Sequence, residues 1–320
     1  MRLQCEGTTG GLRRAGPARP PEAPRSSTRV RVAARPPTVF SDRARDAADA
    51  FCDAGAAEAV FPLLAALVEG IKVVDDIQDD EPVCLASEVG IDRALQSANE
   101  AFAIVLELTA GLPLPDDSWR AATAAIGRGL RETATGQELE GAAVITGFHT
   151  FWEIVDRKTA PLLATALELG ALTAGAVPPH AAALTRLAVP MGRLLQIGDD
   201  CNDALAPDAP DWRTPHRNLL MLFALSGPGG AELSVLLENG RDPDALHEAQ
   251  LTLLREGSLA YAIHAQLTAL DSFSLTLSEL PLPTPAPFLD YLADRRADSE
   301  RLLLKTGVDG EVAGRVCGVH

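Results

Sequence analysis

Apolar residues recur at helical spacing through most of this chain. Between Ala56 and Asp80, Phe61, Leu64, Leu67, Val68, Ile71 and Val74 make one broad stripe, the 3.6-residue signature of a helix with a buried face. The same reading predicts a helix over 87–109, with Ile91, Leu95, Ala98, Phe102, Val105 and Leu106 inward. Others are expected over 116–143, 149–175, 179–205, 218–225, 243–271 and 286–305, with a short, weak one over 41–53. Pro62 should bend the first turns of its helix, and Pro82 should stop it. The breaks are short Pro/Gly turns rather than linkers, and no repeat of about 20–50 residues is present. The pattern predicts a single all-α domain over 39–306, a bundle of roughly ten helices.

The two ends lack this pattern. Residues 1–38 are rich in Pro, Gly, Ser and Arg, with eight Arg against Glu6 and Glu22, and are expected to be disordered. A transit peptide is the lesser alternative, because no amphipathic stripe is present. Residues 307–320 are expected to form a loose tail.

Composition narrows the function. Apolar residues make up 47% and aromatics only 4%, so Leu, Ala and Val must fill the core. A net charge of −16 argues against nucleic acid or an anionic membrane as partner. No run of about 18 apolar residues occurs, so no integral membrane segment is expected. Cys5, Cys52, Cys84, Cys201 and Cys317 show no C-x-x-C spacing, and no secretory signal precedes them, which points to free thiols in a reducing cytoplasm. The six His residues show no H-E-x-x-H spacing, which argues against zinc.

Two acidic clusters carry the candidate chemistry. Asp75, Asp76, Asp79 and Asp80 close the 56–80 helix, and no Lys or Arg lies among them. Asp199, Asp200 and Asp203 close the 179–205 helix with the same i, i+1, i+4 spacing. On a helix, i and i+4 lie about 40° apart, so each cluster presents one carboxylate face. Carboxylates at a helix C-terminus oppose the macrodipole, where a structural role would favour Lys or Arg. A hard divalent cation relieves that repulsion. Two such walls facing each other would clamp a diphosphate through Mg²⁺, and the apolar stripes behind them suit a hydrocarbon tail.

These motifs resemble the trans-polyprenyl synthetase (isoprenyl diphosphate synthase) family over about residues 57–270. The resemblance rests on Asp75-Asp76-Ile77-Gln78-Asp79-Asp80, on Gly136-Gln137-Glu138-Leu139-Glu140 where the family has G-Q-x-x-D, and on Lys158-Thr159. It rests also on Gln196-Ile197-Gly198-Asp199-Asp200-Cys201-Asn202-Asp203 and on the apolar stretch from Asn218. It implies an isoprenoid-synthase-like bundle around a central cavity and a homodimer. Asp75, Asp76, Asp79, Asp199, Asp200 and Asp203 would bind Mg²⁺, about three ions in all. Lys158 would touch an allylic prenyl diphosphate, Gln137 and Gln196 would line the site, and Thr159 would steady the developing cation. Gly70 and Ile71 stand where the family places bulky aromatics that shorten the product, so the small Gly70 implies a deep pocket and a C15–C20 or longer chain. Arg213 and Arg217 are read as a lid over diphosphate or as surface pairs. Glu140 is read equally as a surface charge, Asp208 and Asp211 as loop caps ahead of groups touching diphosphate or its waters, and Phe151 and Trp152 as core ahead of a cation-stabilising wall.

The chain also departs from the family. Where condensing members carry G-G-K-x-x-R-P, it has at most Arg35-Pro36. The family's Gln or His before the first motif is Val68, and its Arg-Arg pair after that motif falls at Cys84-Leu85. Each change removes a group that would hold isopentenyl diphosphate. The allylic half of the site is intact and the other half is not, which favours a terpene synthase or an unusual acceptor. An ordinary elongating prenyltransferase and a non-catalytic partner subunit are the alternatives.

Overall fold

A computed structural model describes residues 39–79, 81, 83–142, 144–206, 209–238 and 242–305. The terminal tails, with Arg35 and Pro36, lie outside the described residues, as do Asp80, Pro82 and Asp208. The described residues contain no strand and twelve α-helices of eight residues or more, so the expected all-α class is borne out. None of these helices is long and apolar enough to cross a membrane.

The bundle is built around a helix with no polar side. Helix α7 (Ala160–Thr173) is buried at nearly every position, as a helix apolar all round must be. It packs against α1 (Val39–Ala50), α5 (Asp116–Ala142) and α9 (Ala188–Leu205), and these with α2 (Phe61–Gln78), α13 (Ser258–Ser278) and α14 (Ala286–Lys305) contribute to one core with Leu63, Leu163, Leu167, Met191, Phe273 and Phe288 fully buried. A second core joins α6 (Phe148–Lys158), α9, α10 (Leu219–Ser226), α11 (Gly230–Glu238) and α12 (Pro243–Arg255). Helix α11 was not foreseen. The short helices α3 (Leu85–Val89) and α8 (Pro178–Leu184) lead into α4 (Ile91–Ala110) and α9.

Several expected helices are divided. The 87–109 stretch breaks at Gly90 and the 243–271 stretch at Gly257, with φ of 88° and 82°, where only glycine is unstrained. The 149–175 stretch breaks at Thr159, because Pro161 has no N–H to return to the Arg157 carbonyl. Pro62 does not bend a helix interior; it occupies the first turn of α2, after a 3₁₀ segment over Ala54–Val60. Helix α4 also faces differently. Ile91, Leu95 and Leu106 are 57%, 41% and 69% exposed, while Ala94, Ala98, Ala101 and Val105 are buried. The small side chains let α4 approach α2 closely, and the larger ones are turned outward.

Within α1, on its side facing α14, Asp46 contacts Arg43 at 2.7 Å, but this pair lacks hydrogen-bond alignment. The Arg43 guanidinium lies 4.3 Å from the centre of the Tyr291 ring. Burial outweighs the Arg43 charge and pushes the Asp46 carboxyl up to about 6. A carboxyl raised on folding holds its proton more tightly in the native state, so its contribution to stability falls as pH rises from about 4 through 6. Chemical denaturation of the wild type and Asp46→Asn at several pH values should isolate it. Relative to the wild type, the variant should gain up to about 3 kcal/mol as pH passes 6. A constant difference across pH would contradict this account.

Candidate metal centre

Helix α2 ends at Gln78, and the Asp79 N–H bonds back to the Asp75 carbonyl at 2.9 Å. The first acidic cluster therefore lies at the negative end of the helix dipole, and cations from three places relieve it. Lys72, one turn earlier on the same helix, reaches Asp76 at 2.8 Å. Lys158, at the end of α6, lies 3.1 Å from Asp75, 4.0 Å from Asp79 and 2.7 Å from Glu140. Arg217 lies 3.1 Å from Asp79 and donates at 3.4 Å to the Glu140 carbonyl. The cluster is thus not the bare group of charges that the sequence suggested. Burial lowers the Lys158 ammonium, but the charges of Glu140 and Asp75 more than offset it, and its pKa ends above the ordinary value.

Lys158 reaches this position because of two breaks in regularity. Pro161 ends α6 just after Lys158, and Gly136 lets that end approach α5. A Cβ on Gly136 would lie 2.5 Å from the Arg157 carbonyl carbon and oxygen. On the same face of α5, Gln137 donates to the Asp75 carboxylate and Glu140 meets Lys158.

The second cluster, on α9, faces the same space. A cavity of 440 Å³ is lined by Asp79 and Glu140 from α2 and α5, by Gln196, Asp200 and Asp203 from α9, by Asp211 beyond it, and by Lys158, Arg213 and Arg217. Ile145, Phe151, Ile154 and Val155 make its apolar wall. Burial, and then the nearby Asp211, raise the pKa values of Asp199 and Asp203. Asp200 is pushed up to about 7, chiefly by burial, against hydrogen bonds from the Leu219 N–H and Gln196.

Not every expected site residue lines the cavity. Asp75, Asp76, Asp199, Gln137, Thr159, Gly70 and Ile71 stand outside its wall. Asp75 and Gln137 form the layer behind it, Asp76 is bonded to Lys72, and Thr159 is the residue between α6 and α7. Gly70 does not open a deep pocket: a Cβ there would lie 2.6 Å from the Phe102 ring, which fills the room the glycine leaves. Phe102 was read as an inward residue of its helix without any link to Gly70. Glu140 and Asp211 face the cavity but were undervalued. The Gln137-x-x-Glu140 spacing could have identified the first, since i and i+3 share a helix face. Nothing in the sequence marked the loop contact that places Asp211.

Asp75, Asp79 and Glu140 each offer a carboxylate oxygen, and the three oxygens lie within 4.8 Å of one another. An all-oxygen set suits a hard divalent cation such as Mg²⁺ and gives a soft metal no thiolate. The residues present therefore fit the group.

Two acidic helix ends facing one cavity in an all-α bundle agree with the family that the sequence resembles. Residues 62–211, a little under half of the chain, match the polyprenyl synthetase family. A nonaprenyl diphosphate synthase of Mycobacterium tuberculosis (strain ATCC 25618 / H37Rv) is 28% identical over 216 residues, which cover 62% of this chain and 63% of that protein. The chain thus spans less than two thirds of this relative's length. Solved structures share the fold. A geranylgeranyl pyrophosphate synthetase from the archaeon Geoglobus acetivorans superposes with a TM-score of 0.70 at 19% identity, covering 83% of this chain and 87% of its own. A geranylgeranyl pyrophosphate synthase from Corynebacterium glutamicum, complexed with calcium and isoprenyl diphosphate, gives 0.67 at 22%, covering 84% and 86%.

Proposed function

We propose that the chain is a Mg²⁺-dependent prenyltransferase that ionises an allylic prenyl diphosphate. The observation that carries this reading is the cavity shared by the ends of α2 and α9, lined by both carboxylates and apolar side chains. Bound Mg²⁺ would supply Lewis-acid stabilisation of the departing diphosphate. Asp79 and Glu140, with Asp75 behind them, would hold it at the end of α2, and Asp203, with Asp199 beside it, at the end of α9. Lys158, Arg213 and Arg217 would bind the diphosphate oxygens. The allylic C–O bond breaks with its electron pair leaving on diphosphate, and Phe151, Ile154 and Val155 keep water from the cation left behind.

A second reading concerns the acceptor. Val68, Cys84 and Leu85 offer no charge to a second diphosphate, which favours internal quenching, as in a terpene synthase, or an unusual acceptor. The experiment is incubation of the purified chain with Mg²⁺ and geranyl, farnesyl or geranylgeranyl diphosphate, with and without isopentenyl diphosphate. Elongated products only when isopentenyl diphosphate is present would establish ordinary transfer; cyclic or hydroxylated products without it would establish the second reading. If no diphosphate is released from any substrate, the proposal fails.

Phe102 is the proposed limit on tail length, in place of the residue at position 70. Phe102→Ala should shift preference toward longer allylic substrates, read as relative kcat/KM across the three diphosphates. An unchanged order would remove Phe102 from that role. The outward face of α4, with Ile91, Leu95 and Leu106, supports a homodimer like that implied by the family resemblance. Sedimentation equilibrium should find a dimer that Leu106→Glu weakens; a wild-type monomer would refute it. A cytoplasmic location is proposed from the free Cys52, Cys84 and Cys201.

A further inference from the structure

A buried joint behind the second acidic cluster supports a further assignment, which rests on the function proposed above. Asp200 occupies the middle of the Asp199, Asp200, Asp203 pattern, but its surroundings differ from those of its neighbours. It is 1% exposed, whereas Asp199 is exposed and Asp203 half-buried. Although Asp200 lines the cavity, each of its carboxylate oxygens accepts a hydrogen bond from the protein. Gln196 Nε2 donates to Oδ1 at 2.7 Å, and the Leu219 main-chain N–H donates to Oδ2 at 2.8 Å. Leu219 begins α10, so this contact spans the whole connection between the two helices.

Asn218 closes the same joint. It is fully buried, and its Nδ2 donates to the Asp200 carbonyl at 2.9 Å and to the Asp211 carboxylate at 2.8 Å. Its Oδ1 accepts from the N–H groups of Leu220 and Met221, at 3.0 and 3.3 Å. Both hydrogens and both lone pairs of the amide are used. The connection held in this way carries Asp211, Arg213 and Arg217 to the cavity. For Asp200 to turn toward a cation there, it would have to release the Leu219 N–H and strand it in a buried site, which is strongly disfavoured.

We infer that Asp200 is a positioning residue and not a metal ligand: with Asn218 it pins the start of α10 to α9, and so fixes Arg213 and Arg217 over the diphosphate end of the cavity. Asp203, which lines the cavity, and the exposed Asp199 one turn before it are then the α9 carboxylates left to hold a cation.

Mn²⁺ titration of the full chain, followed by electron paramagnetic resonance with and without inorganic pyrophosphate, tests this. The Asp199→Asn, Asp203→Asn double variant should weaken Mn²⁺ binding about tenfold or more. Asp200→Asn keeps an acceptor for the Leu219 N–H, and its Mn²⁺ affinity should stay close to that of the wild type. Asn218→Ala and Asp200→Ala should weaken pyrophosphate binding at saturating Mn²⁺ about tenfold, and Asp200→Asn should restore it. Circular dichroism identifies any variant that fails to fold, and Asp200→Asn decides the matter if the alanine variant does. The inference is overturned if Asp200→Asn loses Mn²⁺ as the double variant does, or if Asn218→Ala leaves pyrophosphate affinity unchanged. A wild-type chain that binds neither Mn²⁺ nor pyrophosphate would instead remove the proposed function, and this inference with it.

Discussion

Asp79→Asn is expected to lower Mg²⁺-dependent diphosphate release by about a thousandfold, the scale of several kcal/mol of lost Lewis-acid stabilisation. Asp79 stands at the end of α2, lines the cavity, and shares a carboxylate triad with Asp75 and Glu140. The substitution keeps its size and removes its charge. Its side chain is 29% exposed and its ion pairs with Lys158 and Arg217 lie at the cavity rim, so the cost to stability should stay within about 1 kcal/mol. The measurement is diphosphate release at increasing Mg²⁺, beside a thermal unfolding curve. A variant that unfolds like the wild type but turns over far more slowly is the expected result. A full rate at ordinary Mg²⁺ would show that this carboxylate holds no catalytic cation.

The second large effect is expected from a position with no side chain. In Gly136→Ala the new methyl would meet the Arg157 carbonyl at 2.5 Å and the Lys158 nitrogen at 2.6 Å. These are main-chain atoms and have no rotamer to escape into, so α6 must move away from α5. Overpacking of this kind costs about 1–3 kcal/mol. The displaced segment carries Lys158, and a shift of about 1 Å near a reacting centre lowers rates about a hundredfold. Activity should therefore fall more than stability does. Gly141→Ala is the control: it lies in the same helix with nothing within 4 Å of its Cβ, and should leave stability equal or improved by about 0.4–1 kcal/mol. Equal behaviour of the two variants would mean that the close approach at Gly136 does not matter.

The helices were legible because each carries a stripe of apolar residues long enough to show its period. Helix α14 falls where 286–305 was expected, and α5 where 116–143 was. Their interruptions were harder to see. Gly90 and Gly257 sit within otherwise continuous patterns, and a glycine in a helix is only mildly unfavourable until the chain takes it to positive φ. The inward face of α4 departs from the apolar stripe at Ile91, Leu95 and Leu106, because apolar spacing does not show which residues permit close approach. Alanines allow the closer helix contact, and α2 supplies a glycine opposite Phe102.

At the candidate site, the acidic clusters could be read from spacing alone, but their neighbours could not. Lys72 lies four residues before Asp76, an ordinary helical pair that was overlooked in favour of the metal reading. The placement of Arg217, Asp211 and Asn218 depends on how the connection from α9 to α10 folds back. Such loop contacts leave no periodic trace, and Asp79 and Arg217, which meet in the fold, are 138 residues apart in the sequence.

The pairing of Lys158 and Arg217 with the first wall has a thermodynamic outcome. A divalent cation arriving at Asp75, Asp79 and Glu140 would have to displace Lys158 and Arg217 from these carboxylates, which would leave both free to engage an anion. Cation and anion uptake would then be linked, each raising the affinity for the other by the same factor whichever arrives first. Loading of the bare chain with Mg²⁺ alone should be weak, and the species taken up most readily should be the neutralised ion–diphosphate complex.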